Sequence, residues 1–140
     1  MVTITSEAGP WHMTVFCFEE NDPENPLGRI AASDIARLPF GAAELDRDGR
    51  VVAYYDTEPD DRGVPKPDVV GRRFFDDVAP WAGTSAVARE FAQGVERGEL
   101  NVVFDCAVAG LDYKLRIHFK ISPILATYWV FIKKLKRNGA

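Results

Sequence analysis

A strict alternation of apolar and polar residues covers positions 111 to 122, which read LDYKLRIHFKIS. A period of two predicts a β-strand with one buried face and one solvated face. The flanking runs, NVVFDCAVAG and TYWVFIKKLK, are rich in β-forming residues, and a turn joins each to the alternating segment. We therefore predict three consecutive antiparallel strands. The last is apolar on both faces, so its second face should meet the N-terminal segment or a partner subunit.

A β-hairpin is predicted further upstream. The runs FGAAELD and RVVAYYD flank the turn Asp46-Arg47-Asp48-Gly49. An Asp-Gly turn between two extended runs is typical of a hairpin.

A helix is predicted to begin at residue 84 or 85 and to end at Gly98. Val87, Phe91 and Val95 recur at every fourth position in this segment, so they share one helix face. Gly98 is suited to the left-handed conformation that ends many helices. The segment between the hairpin and this helix, which includes TEPDDRGVPKPD, is predicted to be irregular or to form short helical turns.

The order of these elements predicts an α+β architecture. It is a five-stranded antiparallel sheet with the helices inserted between strands two and three. Residues 35–137 would form this core, residues 1–34 an N-terminal cap and residues 138–140 a tail. Within the cap, WHMTVFCF is either a short strand or a segment packed flat on the core, and EENDPENPLG is a loop. A short helix is predicted over residues 31–37.

Composition and charge indicate one ordinary domain of 140 residues with a net charge of 17 − 21 = −4. No apolar run is long enough to span a membrane and no secretory signal is visible, so a cytoplasmic protein without a membrane partner is expected. Six acids against one arginine give residues 1–34 a charge of −5, whereas four bases give the last eight residues +4. We interpret the basic end as solvated, because an acidic chain repels nucleic acid at long range.

Sequence motifs for catalysis and for metal binding are absent. Cys17 and Cys106 are 89 residues apart, outside any CxxC or Cys/His cluster, so we expect two buried thiols. No GxSxG, HExxH or phosphate-loop motif occurs. Asp76 and Asp77 are adjacent carboxylates whose side chains should diverge and cap a turn. Enzymatic activity is thus less favoured than binding.

Four blocks of sequence carry a resemblance to the PAS domain and, within it, to the photoactive yellow protein family. They are FGAAELDRDGRVVAYY, VVGRRFFDDVAP, FAQGVERGELN and YWVFIKKL. The resemblance covers about 100 residues, from Phe40 to Leu135. It implies a blue-light receptor that holds p-coumaric acid as a thioester on a cysteine directly after the DVAP motif.

Position 81, directly after that motif, is a tryptophan in this chain. An indole has no nucleophilic sulfur, so covalent p-coumaric acid is not expected here. Two interpretations of Trp81 remain open. Its ring either fills the cavity that the resemblance implies, or forms one wall of a pocket for a different ligand.

The resemblance also implies the other members of a ligand site. Tyr54 and Glu58 correspond to the tyrosine and the glutamate that hydrogen-bond the phenolate in the family. A threonine and an arginine of the family are replaced by Arg62 and Val64, and Val108 stands where a phenylalanine is expected. The candidate ligand-binding residues are Tyr54, Glu58, Arg62, Phe74, Val78, Trp81 and Val108. The alternative for Glu58 is a solvated place in the acidic loop TEPDDR.

Two histidines are weak candidates for a haem ligand. His118 lies on the polar face of the alternating strand, where solvent exposure is expected. His12 has aromatic and thioether neighbours, which suit an axial ligand. Haem-binding PAS sensors usually take their histidine from the helical segment, which contains none here, so haem would require His12 to fold over the pocket.

These observations predict a PAS-type sensory module that binds a small aromatic or apolar ligand noncovalently. One alternative is a ligand-free module for protein interaction, with a homodimer formed through the cap or the last strand. Others are a haem-based sensor, or an enzyme that uses Glu58 and Tyr54 for acid/base chemistry in the cavity.

Overall fold

The computed structural model describes residues 2–8, 11–28, 30, 32–35, 38, 40–55, 69–83, 86–108, 110–122 and 124–136. For residues 2–8, 11, 12, 32 and 83 only the backbone is described.

These described residues contain seven strands, three short or medium helices and one π-helical turn. In chain order they are β1 Val2–Ala8, β2 Trp11–Phe18, α1 Ala32–Ile35, β3 Gly41–Leu45, β4 Val51–Tyr55, the π-helical turn Phe74–Val78, α2 Pro80–Gly83, α3 Ala86–Arg97, β5 Asn101–Ala107, β6 Tyr113–Ser122 and β7 Thr127–Lys136. No helix in these described ranges is long and apolar enough to cross a membrane.

The strands make one sheet in the order β1-β2-β5-β6-β7-β3-β4. Strands β3 to β7 are paired antiparallel throughout, and the helical segment lies between β4 and β5. The predicted five-stranded antiparallel sheet with inserted helices is therefore confirmed. The sheet is nevertheless larger than predicted, because two N-terminal strands extend it.

The N-terminal segment lies beside β5, at the edge of the sheet. β1 and β2 form an antiparallel pair, and β2 pairs parallel with β5, with Phe16 opposite Phe104. The ring of Phe104 stacks on Phe16 at 5.0 Å and on Phe18 at 6.2 Å between ring centroids. These aromatic contacts explain why WHMTVFCF forms a strand of the sheet, since burial of its alternate side chains requires pairing with β5.

The turn between β3 and β4 agrees with the predicted Asp-Gly hairpin. The carboxylate of Asp46 accepts hydrogen bonds from the backbone N–H groups of Asp48 and Arg50, at 2.9 and 3.0 Å. Gly49 has a φ of +83°, a conformation that L side chains rarely adopt.

The core lies between the sheet and the helical insertion. Leu115, Ile117 and Phe119 of β6 are fully buried, which confirms the alternation of that strand. From the helix side, Phe91 of α3 contacts Phe119 and Tyr128 at 5.7 and 5.6 Å between ring centroids. The face of the sheet that carries these side chains is called the inner face below, and the opposite face the outer face.

The boundaries of the helices differ only slightly from the sequence-based ones. α3 begins at Ala86, and residues 84 and 85 lie outside the described residues. It ends before Gly98, whose φ is +70° as expected for a helix stop. The short helix predicted over residues 31–37 corresponds to α1, Ala32–Ile35. Residues 31, 36 and 37 lie outside the described residues. The division into cap, core and tail stays a prediction.

Candidate functional site

Aromatic rings dominate the inner face where the π-helical turn meets the sheet. Phe74 and Phe75 lie in that turn, and both contact Phe119 of β6, at 6.1 and 5.9 Å between ring centroids. Phe75 also contacts Phe91 of α3 at 5.1 Å. Turn, sheet and helix thus share one aromatic cluster.

Backbone hydrogen bonds to the β-hairpin place the π-helical turn. The N–H of Phe74 donates to the carbonyl oxygen of Gly49 at 2.8 Å, and the N–H of Val51 donates to that of Arg72 at 2.9 Å. Within the turn, the N–H groups of Asp77 and Val78 both donate to the carbonyl oxygen of Arg73. The segment that leads to position 81 is therefore attached to the sheet through the β3–β4 connection.

The adjacent carboxylates of Asp76 and Asp77 take part in this turn. The side chain of Asp77 accepts a hydrogen bond from the backbone N–H of Arg73 at 3.2 Å, and Asp76 forms an ion pair with the Arg73 side chain at 3.7 Å. Both acids are exposed. Their arrangement agrees with the predicted role in capping a turn.

Trp81 lies in α2, directly after Pro80, and is half-buried against the core. Its indole nitrogen, Nε1, is fully buried and has no hydrogen-bond acceptor among the described residues. A buried donor without a partner destabilises a fold by about 1 to 3 kcal/mol, so such atoms are rare. Position 81 therefore offers a hydrogen-bond donor where the resemblance implies a nucleophilic thiol.

Trp81 also lines a groove of about 590 Å³ that is open to solvent. The groove lies between the N-terminal loop, with Pro23, Pro26 and Ile30, and the helices α2 and α3. Since Nε1 is buried, the ring presents carbon atoms to this groove. Trp81 thus contacts the hydrophobic core and also lines the groove beside the N-terminal loop.

Tyr54 of β4 packs against the core, and its hydroxyl group donates a hydrogen bond to the carbonyl oxygen of Phe40 at 2.7 Å. The resemblance implies that this hydroxyl group donates its proton to a bound phenolate. In the structure the hydroxyl donates it to a backbone carbonyl oxygen of the protein instead. Tyr54 joins the start of β3 to the edge strand β4 by this contact.

Five of the seven predicted ligand-binding residues share one hydrophobic core. Phe74 and Val108 are buried in it, and Tyr54, Val78 and Trp81 pack against it half-buried. Glu58 and Arg62 lie outside the described residues, and so does Val64. The assignment of all seven to a ligand site stays a prediction.

Asn25 is a buried polar residue that sequence reasoning missed. Its side-chain nitrogen donates to the carbonyl oxygens of Glu19 and Ala107, at 3.0 and 2.8 Å, and its side-chain oxygen accepts from the N–H of Leu27 at 2.9 Å. Ala107 precedes Val108, so Asn25 attaches the N-terminal loop beside a predicted site residue. The sequence shows only a turn-forming loop there, and nothing in it indicates a bond across 82 residues.

A buried carboxylate on the outer face, Asp105 of β5, was also missed. Arg116 donates two hydrogen bonds to it, at 2.7 and 2.8 Å, and Lys114 one at 3.4 Å. Burial alone would raise the pKa of Asp105, but the hydrogen bonds and charges of Arg116 and Lys114 outweigh it and lower the pKa below its ordinary value. The carboxylate is thus kept ionised as the centre of a small charge cluster.

The two cysteines differ in burial. Cys106 is fully buried, and burial, together with the nearby Asp105 and Cys17, raises the pKa of its thiol far above the ordinary value. Such a thiol is unreactive at neutral pH. Cys17 is only half-buried and lines a small outer cavity with Lys114 and Lys136, so the prediction of two buried thiols is confirmed for Cys106 alone.

His118 lies on the outer face, away from the aromatic core. Its Nε2 is 2.7 Å from the side-chain oxygen of Asn101, and its ring is 6.0 Å from that of Phe131. Burial, followed by the charges of Lys120, Arg116 and Lys133, lowers its pKa. His118 was expected to be exposed to solvent, but its side chain is half-buried.

Metal-binding geometry is absent from the part of the chain that the structure describes, where no three His, Cys, Asp or Glu side chains come together. The side chain of His12 is not described, so its proposed approach to the pocket lies outside the described structure. His118 faces away from the core.

Comparison with known proteins identifies the family. No family model matches the chain. A photoactive yellow protein of Rhodothalassium salexigens, however, is 33% identical over an alignment of 128 positions, and the match covers 88% of this chain and the whole of that protein. The chain belongs to the photoactive yellow protein family. A second member, from Rhodobacter capsulatus, is 35% identical over 124 residues and is covered to 99% of its length.

Solved structures support the same family. The photoactive yellow protein domain from the sensor histidine kinase Ppr of Rhodospirillum centenum is 30% identical and has a TM-score of 0.55. The match covers 75% of this chain and 94% of that domain. The protein is therefore a PAS sensory domain of the photoactive yellow protein type.

Proposed function

We propose that this member of the photoactive yellow protein family senses a small aromatic or apolar ligand that it holds by noncovalent contacts. The observation that carries the proposal is the buried N–H of Trp81, which lacks an acceptor among the described residues. A ligand with a carbonyl, carboxylate or phenolate oxygen would supply that acceptor and remove the cost of the unpaired donor. The ligand would thus be held at the position where the resemblance implies a thioester.

The surrounding side chains favour an aromatic ligand. Phe74, Val78 and Val108 are apolar, and Phe74 and Val108 belong to the same hydrophobic core against which Val78 and Trp81 pack. Apolar walls with a few polar groups are typical of small-molecule sites. In this proposal Glu58 and Arg62 complete the site from the segment that follows β4.

The output of the sensor would pass through the N-terminal segment. Trp81 lines the groove against Pro23, Pro26 and Ile30, and Asn25 attaches the same loop to Ala107. A ligand that moves the indole would change how this loop is seated, and so shift the population of the docked N-terminal segment.

The test begins with the freshly purified protein. Its absorption spectrum and native mass spectrum are expected to show either a retained noncovalent ligand or an empty site, and no thioester-linked pigment. Titration calorimetry with p-coumaric acid and its methyl ester then measures binding. Wild-type protein should bind at least one of them, and Trp81→Phe, which keeps a ring and removes the N–H, should bind about tenfold more weakly.

Trp129→Phe is the matched control, because it makes the same change on the outer face, and it should leave the affinity unaltered. If the purified protein retains no small molecule and neither compound binds, the proposal is wrong. Equal weakening by both substitutions would remove the role of Trp81.

A further inference from the structure

The groove that Trp81 lines is large enough to hold a small molecule of its own. Its volume of about 590 Å³ falls within the roughly 300 to 1,000 Å³ that is typical of small-molecule sites. The N-terminal loop and α1 contribute residues to one side of it, and α2 and α3 to the other. It is called the Trp81 groove below, and its lining residues indicate which ligand it suits.

The apolar part of the Trp81 groove offers few hydrogen-bonding groups. Three prolines, Pro23, Pro26 and Pro80, line it, and proline has no backbone N–H. Trp81 presents ring carbons, because its Nε1 is buried, and the side-chain amide of Asn25 is used in the hydrogen bonds described above. A methylated ammonium group suits such walls, since it has no N–H to satisfy and its methyl groups pack on an aromatic face.

Charged side chains of both signs line the same groove. Glu24 of the N-terminal loop and Asp34 of α1 are acidic, whereas Arg89 of α3 is basic. All three are exposed, and none of these side chains forms an ion pair with another residue in the part of the chain that the structure describes. The groove therefore offers two carboxylates and one guanidinium group to a ligand.

We propose that the Trp81 groove binds a small zwitterion in which a quaternary ammonium group is joined to a carboxylate or a phosphate. The ammonium group would lie against the ring of Trp81 and near the carboxylates of Glu24 and Asp34. Tryptophan is the aromatic side chain that attracts organic cations most strongly. The anionic oxygens of the ligand would accept hydrogen bonds from Arg89, whose planar guanidinium group matches both carboxylate and phosphate.

Charge decides against simpler ligands. A plain organic cation would be attracted by Glu24 and Asp34 but repelled by Arg89, and a plain anion would meet two carboxylates. A zwitterion gives each of the three charged groups a partner of opposite sign. The proposal is independent of a ligand in the interior, because that site uses the buried N–H of Trp81, whereas the groove uses the ring face and residues outside that site.

The experiment is a titration of the isotope-labelled full-length protein, followed by its amide NMR spectrum. The probes are glycine betaine, γ-butyrobetaine and phosphocholine, and choline is the matched cation without an anionic group. We expect saturable shifts at Ala86, Arg89 and the indole N–H of Trp81, and weaker binding as salt rises. At least one zwitterion should bind about fivefold more tightly than choline. The two betaines against phosphocholine distinguish a carboxylate from a phosphate.

Substitutions in the groove separate the two ends of the ligand. Arg89→Gln should abolish the preference for the zwitterion and leave the affinity for choline equal or slightly higher. The double variant Glu24→Gln, Asp34→Asn should weaken zwitterions and choline alike, by about fivefold. Glu96→Gln and Arg97→Gln make the same kinds of change at exposed positions of α3 outside the groove, and both should bind as the wild type does.

Three results would overturn the proposal: no saturable shift with any of the zwitterions, equal affinity of the wild type for choline and for the zwitterions, or the same loss in the control variants as in the groove variants. Titration of the same variants with p-coumaric acid distinguishes this failure from failure of the interior site. The substitutions at Glu24, Asp34 and Arg89 leave the N–H of Trp81 in place, so they should not alter binding there.

Discussion

Trp81 combines two properties that a cysteine at the same position lacks. Its indole is a large apolar group, and its N–H is a strong hydrogen-bond donor. Unlike a cysteine thiol, however, the indole cannot form a thioester. In the structure the ring is half-buried, with the N–H inside and carbon atoms facing the groove. At position 81 the chain therefore has a hydrogen-bond donor in place of the cysteine thiol that the resemblance implies.

Restoring the thiol tests how much of the family's site remains. We expect Trp81→Cys to react with an activated ester of p-coumaric acid, because removing the indole opens space beside Phe74 and Val78 and supplies the nucleophile. Absorption spectroscopy and intact-mass measurement would show a coloured adduct. The wild type is the control for reaction at Cys17. A folded variant that stays colourless would show that the surrounding side chains close the site.

His118 should make stability depend on pH. Because its pKa is lowered in the folded protein, the unfolded chain takes up a proton at a higher pH than the folded chain does. The free energy of unfolding contributed by this group is therefore complete above about pH 6.5 and is lost as the pH falls through the folded pKa. His118→Gln keeps a polar partner for Asn101 and should flatten the change in Tm between about pH 7 and pH 5. An unchanged slope would contradict this assignment.

Asn25 should matter more than an ordinary loop residue. Asn25→Ala removes three hydrogen bonds and leaves the carbonyl oxygen of Ala107 without that donor. We expect a loss of about 2 to 3 kcal/mol in the free energy of unfolding, measured by urea denaturation. Asn21→Ala, in an exposed turn of the same loop, should change it by less than about 0.5 kcal/mol. Similar losses in both variants would contradict the anchoring role.

At the scale of elements, the close packing of α3 against the connection to β5 depends on Gly94. A Cβ at this position would lie 2.5 Å from Cδ1 of Leu100 and 2.8 Å from the carbonyl oxygen of Glu99. Gly94 is therefore buried in the helix although alanine is the better helix former. The helix face seen in the sequence, with Val87 and Phe91, does not indicate this constraint, because it arises from Glu99 and Leu100 in the connection that precedes β5.

Gly94→Ala is accordingly expected to destabilise the protein by about 1 to 3 kcal/mol, despite its favourable helix propensity. Thermal unfolding followed by circular dichroism measures the change. Gln93→Ala, an exposed neighbour in the same helix, should be neutral or slightly stabilising. A gain in Tm for Gly94→Ala would mean that α3 and Leu100 can separate at little cost.

At the scale of the whole molecule, the N-terminal segment is part of the central sheet. The parallel pairing of β2 with β5 joins residues that are almost 90 positions apart, such as Phe16 and Phe104. Since both rings are buried on the inner face, the segment and the PAS core share one hydrophobic interior. A single cooperative unfolding transition should therefore include both.

Phe16→Ala tests this integration. It removes a buried ring stacked on Phe104, so we expect a loss of about 3 to 5 kcal/mol, with far-UV and near-UV signals still changing together. Val15→Ala, on the outer side of the same strand, should cost clearly less, because Val15 is only half-buried. Two separate transitions, or a loss no larger than that of Val15→Ala, would show that the N-terminal segment folds independently.

Several elements could be predicted because their signals are local. The alternation over residues 111–122, the Asp-Gly turn and the four-residue period of Val87 and Phe91 each follow from the geometry of one strand, turn or helix. The α+β order of these elements also followed from the sequence. β1 was missed, although Val2 and Ile4 alternate with threonines, because so short a pattern does not distinguish an edge strand from a tail.

What the sequence by itself determined is the set of core elements, their order and the absence of sulfur at position 81. The partners of individual atoms were decided only by the tertiary structure: the parallel place of β2 beside β5, the bond from Asn25 to Ala107, and the burial of the Trp81 N–H. Periodicity reports which face of an element is apolar, whereas these contacts join residues distant in the chain. Such contacts depend on how the apolar faces of different strands and helices pack against one another, and a local sequence pattern does not specify that packing.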